Sequence, residues 1–195
     1  MKSFWNMLAK QYDKNAENDL PSYEKLVEKI TPYLNKNSIV LEIATGTGII
    51  ANMIAPYCSY IDATDYSEEM IKRAKAKVHP TNVMFALQDV SNLTYKDNSY
   101  NLVIMVHALH VVPDPQKALD SMKRVLKQDG ILIIATYTPP DNSSDRFIRF
   151  LMKIFGFRTW TKEQYIDLFG DWSILKVDDT DKETNTTFFV LQRIE

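Results

Sequence analysis

Between residues 39 and 55 the chain reads Ile-Val-Leu-Glu-Ile-Ala-Thr-Gly-Thr-Gly and then Ile-Ile-Ala-Asn-Met-Ile-Ala. No other stretch restricts the fold as strongly. Four apolar residues among the first five suit a strand covered on both faces, as in a parallel sheet. Gly46 and Gly48 permit a tight backbone turn and remove Cβ atoms that would hold a ligand away. The following helix points its free N–H groups and positive dipole end at that turn, which favours an anionic group there. A strand–turn–helix unit with a small ligand lying across it is therefore expected. Gly46-x-Gly48-x-x-Ala51 also fits the dinucleotide fingerprint, so the glycines alone leave nicotinamide and other adenosine-containing ligands open.

The remaining pattern extends this unit into a sheet. A helix starting at Pro21 carries Tyr23, Leu26, Val27, Ile30 and Leu34 as its apolar stripe. Strands are expected at 59–64, 82–87, 102–106 and 131–135, with helices between them. Ser67 caps one helix, whose buried face is Met70, Ile71, Ala74 and Val78; Asp114 caps another, with Pro115 at its first position. Gly130 is expected in the left-handed conformation that closes the second of these. Strand–helix alternation argues a parallel sheet with helices on both faces. After Thr138 the pattern changes to a loop, a basic aromatic helix over about 145–155, a short helix over 161–169 and two strands near 173–177 and 186–192. The link Asp178–Glu183 reads as their turn, so the sheet ends in an antiparallel pair.

Several function classes are disfavoured. At 195 residues one domain with a substantial core is expected. A net charge of −2 gives no general reason to bind nucleic acid. The single cysteine, Cys58, excludes an internal disulfide and a multi-cysteine metal site, and fits a reducing compartment. No apolar run approaches the roughly twenty residues of a membrane span, and Met1–Trp5 lacks a signal-peptide pattern. The expected compartment is the cytoplasm.

In an open α/β sheet, ligands bind outside the carboxyl ends of the strands. Glu42 lies just inside the first such end, Asp65 ends the second strand and Asp89 the third. Asp65 follows the glycine turn at the distance where a carboxylate accepts ribose hydroxyls. Asp89, one strand further along, is placed to meet an adenine amino group. One acid at a strand end is ordinarily a turn or cap residue, but three at successive ends beside a glycine turn point to a nucleoside ligand.

With these residues in view, the chain resembles a class I S-adenosylmethionine-dependent methyltransferase of the small single-domain kind. Val40 to Gly48 matches the first motif of that family, Asp65-Tyr66-Ser67-Glu68-Glu69-Met70 its ribose-holding segment, and Gln88-Asp89-Val90 its adenine-side segment. The run from Asn98 through His110 to Pro115, with Arg124-Val125-Leu126-Lys127, matches its fourth and fifth strand unit. The resemblance covers about residues 10–137. Ala44 stands where the family usually has glycine, Asn101 where Asp is common, and Gln128-Asp129-Gly130 where a Pro-Gly-Gly turn is usual.

The resemblance implies a Rossmann-like fold with a mostly parallel seven-stranded sheet and an antiparallel C-terminal hairpin. Residues 1–37 would cover the site, 38–137 bind the cofactor, 138–170 form a lid or substrate segment, and 171–195 the last strand pair. It implies in-line methyl transfer from S-adenosylmethionine, giving S-adenosylhomocysteine, to a small-molecule acceptor. Cofactor contacts are expected from Tyr12, Glu42, Ala44, Thr45, Gly46, Gly48, Asp65, Tyr66, Met70, Gln88, Asp89, Val90, Val106 and His107, with Trp5 and Tyr12 offering aromatic faces to the sulfonium. His107 is the candidate general base, should the acceptor need to lose a proton. Tyr137 is a candidate substrate ligand, and His110 is given a packing role. His107-x-x-His110 lacks a third ligand, so no metal site is expected. Residues 145–160 interleave aromatics with arginines and lysine. A lid helix is the favoured reading, ahead of a pocket for an apolar or anionic acceptor or a membrane-surface face. The rival functions are a nicotinamide-dependent oxidoreductase and a non-catalytic scaffold with the same fold.

Overall fold

In the computed structural model, the described residues are 5–7, 9, 19–138, 158, 160–181 and 185–194. Tyr12 and the basic aromatic helix expected over about 145–155 fall outside them. Among the described residues the elements run α1 (Leu20–Ile30), β1 (Ile39–Ile43), α2 (Ile49–Ile54), β2 (Tyr60–Asp65), α3 (Glu68–Ala76), β3 (Val83–Leu87), β4 (Tyr100–Val106), α4 (Pro115–Val125), β5 (Leu126–Tyr137), α5 (Lys162–Leu168), β6 (Trp172–Asp181) and β7 (Thr186–Arg193). Residues 5–7 and 9 are also helical.

The strands form one seven-stranded sheet in the order β3-β2-β1-β4-β5-β7-β6. The first five are parallel, and β7 pairs antiparallel with both β5 and β6. This is the Rossmann-like methyltransferase arrangement with its C-terminal antiparallel hairpin. Chain order reverses between β1 and β4, which opens a crevice at their carboxyl ends. Two apolar layers cover the sheet. One joins Leu26, Ile30, Ile54 and Phe85 to the strands; the other joins Leu119, Met122, Tyr165, Phe169 and Phe189. No helix among the described residues is long and apolar enough to cross a membrane.

The local signals act as their chemistry requires. Ser67 Oγ accepts the Met70 N–H and Asp114 accepts the Lys117 N–H, each satisfying an otherwise orphaned helix donor. Thr161 and Gln164 form a reciprocal capping box at α5.

Three expectations are corrected. Val78 is fully exposed rather than part of the α3 stripe; α3 stops at Ala76 and Lys77 turns extended, which swings Val78 into solvent. The left-handed residue after α4 is Asp129 (φ 58°), not Gly130. Aspartate tolerates that conformation, whereas Gly130 is small because a Cβ there would lie 2.7 Å from the Lys127 carbonyl oxygen. The link between the last strands is shorter than expected, because Asp178–Asp181 belong to β6.

Candidate active site

β1 delivers the chain into three closely spaced left-handed residues: Ala44 (φ 56°), Gly46 (φ 57°) and Gly48 (φ 85°). Gly46 borders a cleft of about 1000 Å³ at the carboxyl ends of the strands, and Gly48 does not. A Cβ on Gly48 would come within 2.6 Å of Phe85 Cζ, so that glycine lets the turn pack on β3. The two glycines therefore do different work, which their spacing alone does not reveal.

Asp65 ties the turn to β2. One carboxylate oxygen accepts the Gly46 N–H at 2.9 Å and the other accepts the Ser67 N–H at 2.8 Å. Burial pushes its pKa up, and those donations pull it back. The Tyr66 backbone makes a further donation to this carboxylate, and the residue borders the cleft. Beneath the turn, Glu42 is only 2% exposed and accepts the Thr45 hydroxyl at 2.7 Å. Desolvation raises its pKa from 4.5 to about 7.

Of the residues expected from sequence, Ala44, Gly46, Asp65, Tyr66, Met70, Gln88, Asp89, Val90, Val106, His107 and Tyr137 border this one cleft. Glu42, Thr45 and Gly48 lie behind its wall; the first two line a small adjoining void together with Ala44, Val106 and His107. Trp5 also borders the cleft. Its neighbour Asn6 fixes that segment, since its side-chain oxygen accepts the Ser67 hydroxyl at 2.6 Å.

The cleft has two halves. At the ends of β1, β2 and β3 the wall is formed by the glycine turn, Asp65, Gln88 and Asp89. At the ends of β4 and β5 it is formed by His107, Ala108, His110, Val111, Val112 and Tyr137. His107 adopts φ 51°, strained for a non-glycine residue at a strand end. Its N–H donates to the Ala135 carbonyl at 2.7 Å, and its Nε2 lies 3.2 Å from Thr186 Oγ1. Burial lowers its pKa. His110, given a packing role from sequence, also faces the cleft; burial and the nearby His107 lower its pKa from 6.5 to about 4. Both rings are therefore neutral at physiological pH.

Sequence reasoning missed the supports of this second half. His110 Nδ1 lies 3.4 Å from Thr136 Oγ1, which is 3.2 Å from the Tyr165 hydroxyl. The Arg158 guanidinium donates to the carbonyls of Val112 and Pro113, and its backbone N–H donates to that of His110 at 2.7 Å. It also stands 5.4 Å from the Trp160 ring centroid. Apart from Arg158 and Trp160, these partners lie 26 or more residues apart in sequence, so no local pattern announces them.

Among the described residues, four carboxylates (Asp19, Asp65, Asp89 and Asp114) border the cleft against one lysine, Lys117. That balance suits a ligand with net positive charge. Among the described residues no group of three potential metal ligands occurs.

Comparison with known proteins agrees with this geometry. Residues 41–134 match a family model described as a methyltransferase domain. The chain is 31% identical to the uncharacterized methyltransferase YcgJ of Bacillus subtilis over 59% of its length and 47% of that protein's. It is 31% identical to the ubiquinone/menaquinone biosynthesis C-methyltransferase UbiE of Citrifermentans bemidjiense, over 68% of this chain and 63% of that one. The matched region thus spans about half to two thirds of these curated relatives. A SAM-dependent methyltransferase from Thermotoga maritima superposes with a TM-score of 0.78 over 100% of both chains at 19% identity, a likeness of fold. The chain therefore carries a methyltransferase domain, matched over residues 41–134, on a fold shared with S-adenosylmethionine-dependent methyltransferases.

Proposed function

We propose that this protein transfers a methyl group from S-adenosylmethionine to a small, largely apolar acceptor. The observation that carries the reading is the convergence of the glycine turn, Asp65 and Asp89 on one cleft whose other half sets Ala108, Val111 and Val112 beside two histidines and Tyr137. The residues suit the cofactor. Asp65 and Asp89 offer carboxylate oxygens to sugar hydroxyls and a base amino group, and the excess of acids offsets a cationic ligand. When bound, S-adenosylmethionine supplies a methyl group activated on sulfur.

The chain's own contribution is placement. Holding donor and acceptor in line is worth up to about 7–11 kcal/mol of a barrier without any covalent step by the protein. Glu42 and Thr45 stiffen the turn from behind, while Asp65 fixes the turn's height through the Gly46 N–H. Ala108, Val111 and Val112 exclude water from the far half. His107, neutral and held at the end of β4, can accept a proton from an acceptor that must lose one; Tyr137 can donate a hydrogen bond to it. One relative is named as a C-methyltransferase of ubiquinone/menaquinone biosynthesis, and the wall of Ala108, Val111 and Val112 here favours an acceptor with an apolar part.

Calorimetric titration with S-adenosylmethionine and S-adenosylhomocysteine tests the reading, using wild type and Asp65→Ala. Micromolar binding that collapses in a variant with unchanged circular dichroism is the expected result. A folded wild type that binds neither ligand rejects the proposal, and binding without turnover on a broad acceptor panel favours a non-catalytic role.

A further inference from the structure

Asn6 fastens the N-terminal helical segment to the start of α3, beside Asp65. Trp5 and Ala9 stand one helical turn apart and share a face: Trp5 borders the cleft and Ala9 is fully buried, while Met7 is 70% exposed. Asn6 is half-buried and, unlike Trp5, is not part of the cleft wall. Its side chain meets protein rather than ligand. The Ser67 hydroxyl donates to Asn6 Oδ1 at 2.6 Å, and the Glu69 N–H approaches the same oxygen at 3.5 Å. A backbone N–H can only donate, which makes the amide oxygen, not the nitrogen, the atom that faces α3.

Ser67 is the junction. Its one hydroxyl hydrogen goes to Asn6, while its oxygen accepts the Met70 N–H at 3.2 Å and so caps α3. Its own N–H goes to Asp65, whose other carboxylate oxygen holds the Gly46 N–H. Asn6 is thus a second cap for α3, supplied from 61 residues away in sequence, at a residue two positions after Asp65. Water can satisfy a helix N-terminus in place of such a cap, and undocking residues 5–7 and 9 breaks no strand pairing among the described residues.

We propose that Asn6 is the clasp of a gate: while it holds Ser67, Trp5 closes the Asp65 end of the cleft, and a ligand enters or leaves that end when the clasp opens. Asn6 is a positioning residue. The identity of the gated ligand rests on the methyl-transfer reading, whereas the clasp is a property of the chain alone. A gate that does not touch the ligand acts on both rates alike, because opening limits association to the free protein and dissociation from the complex. A ligand contact changes mainly the dissociation rate.

Stopped-flow binding of S-adenosylhomocysteine to the full-length chain reads the two rates, and amide hydrogen exchange at Trp5, Asn6 and Met7 reads opening without any ligand. In Asn6→Ala both rates should rise about tenfold, the equilibrium worth of one hydrogen bond, with Kd within about threefold of the wild type. The three amides should exchange faster by a similar factor. Asn6→Leu, which keeps the bulk without the oxygen, should behave as Asn6→Ala, and Asn6→Asp should restore the wild-type rates, because it keeps an acceptor oxygen at a helix N-terminus. A merely structural role would lower the unfolding midpoint and leave both rates where they were. Unchanged rates, or a rise in the dissociation rate alone, overturn the gate; unchanged exchange in both Asn6→Ala and Asn6→Leu overturns the clasp. A wild type that does not bind S-adenosylhomocysteine rejects the cofactor reading, and the exchange measurement then decides the clasp by itself.

Discussion

The two halves of the cleft are built on different principles. At the ends of β1, β2 and β3, carboxylates bind backbone N–H groups a few residues away or one strand across, as Asp65 does with Gly46 and Ser67. At the ends of β4 and β5, side chains are held by partners far along the chain: His107 by Thr186, His110 by Thr136, and the 110–113 loop by Arg158. The first half is a local construction that any chain with this motif can repeat. The second depends on α5 and on the final hairpin, so it can change while the first stays fixed.

Perturbing the first half should have the largest effect. Gly48→Ala forces a Cβ against the Phe85 ring at a positive φ, and should cost about 3 kcal/mol in urea unfolding and abolish cofactor binding. Adding Phe85→Leu should recover part of the stability, which a purely ligand-contact role for Gly48 would not permit.

A pH titration of stability compares the halves through two buried groups of opposite sense. Glu42 has its pKa raised from 4.5 to about 7. Its contribution is therefore present below pH 4.5 and lost as pH rises through about 7. His110 has its pKa lowered from 6.5 to about 4, so its contribution is present above pH 6.5 and lost as pH falls through about 4. Each is on the order of 3 kcal/mol at most, and the two windows overlap. Denaturant midpoints of the wild type should accordingly vary little from these groups across that range. Glu42→Gln should expose a fall in stability on acidification, and His110→Asn a fall on alkalinisation. Parallel curves for all three proteins would show that neither shift exists.

Smaller effects should follow in the second half. Arg158→Ala removes the donors to Val112 and Pro113 and should lower stability by about 1–2 kcal/mol. Affinity for S-adenosylhomocysteine should stay within about threefold, because the glycine turn and Asp65 are held without Arg158; a large loss by calorimetry would mean the halves are coupled. Smallest of all, Ala44→Gly relieves a left-handed alanine and should raise the unfolding midpoint slightly, by about 0.5 kcal/mol. A lower midpoint would mean that the unfolded chain gains more freedom from the glycine than the turn gains in relief.

The same division explains what the sequence disclosed. β1, the glycine turn, Asp65 and Asp89 could be read because their chemistry is contained within one strand–turn–helix step. The Ser67 and Asp114 caps were legible for that reason too. Thr136, Arg158 and Tyr165 were not, since a threonine in an apolar strand carries no sign that its hydroxyl meets a histidine 26 residues earlier. Val78 misled because its spacing continues the α3 stripe after the helix itself has stopped. Gly130 misled because close approach and left-handed backbone both select glycine, and only the φ values distinguish them.

The contact between Gly48 and Phe85 also works as a spacer. Phe85 belongs to β3, the outermost strand on that side, and β3 leads into Gln88 and Asp89. How near the turn may sit to that strand sets the distance from Gly46 to Asp89, and hence the length of ligand the cleft can span. A larger residue at position 48 would lengthen that gauge as well as strain the turn. A smaller residue at position 85 would reset it, so two residues outside the cleft lining adjust its span without changing any atom that borders it.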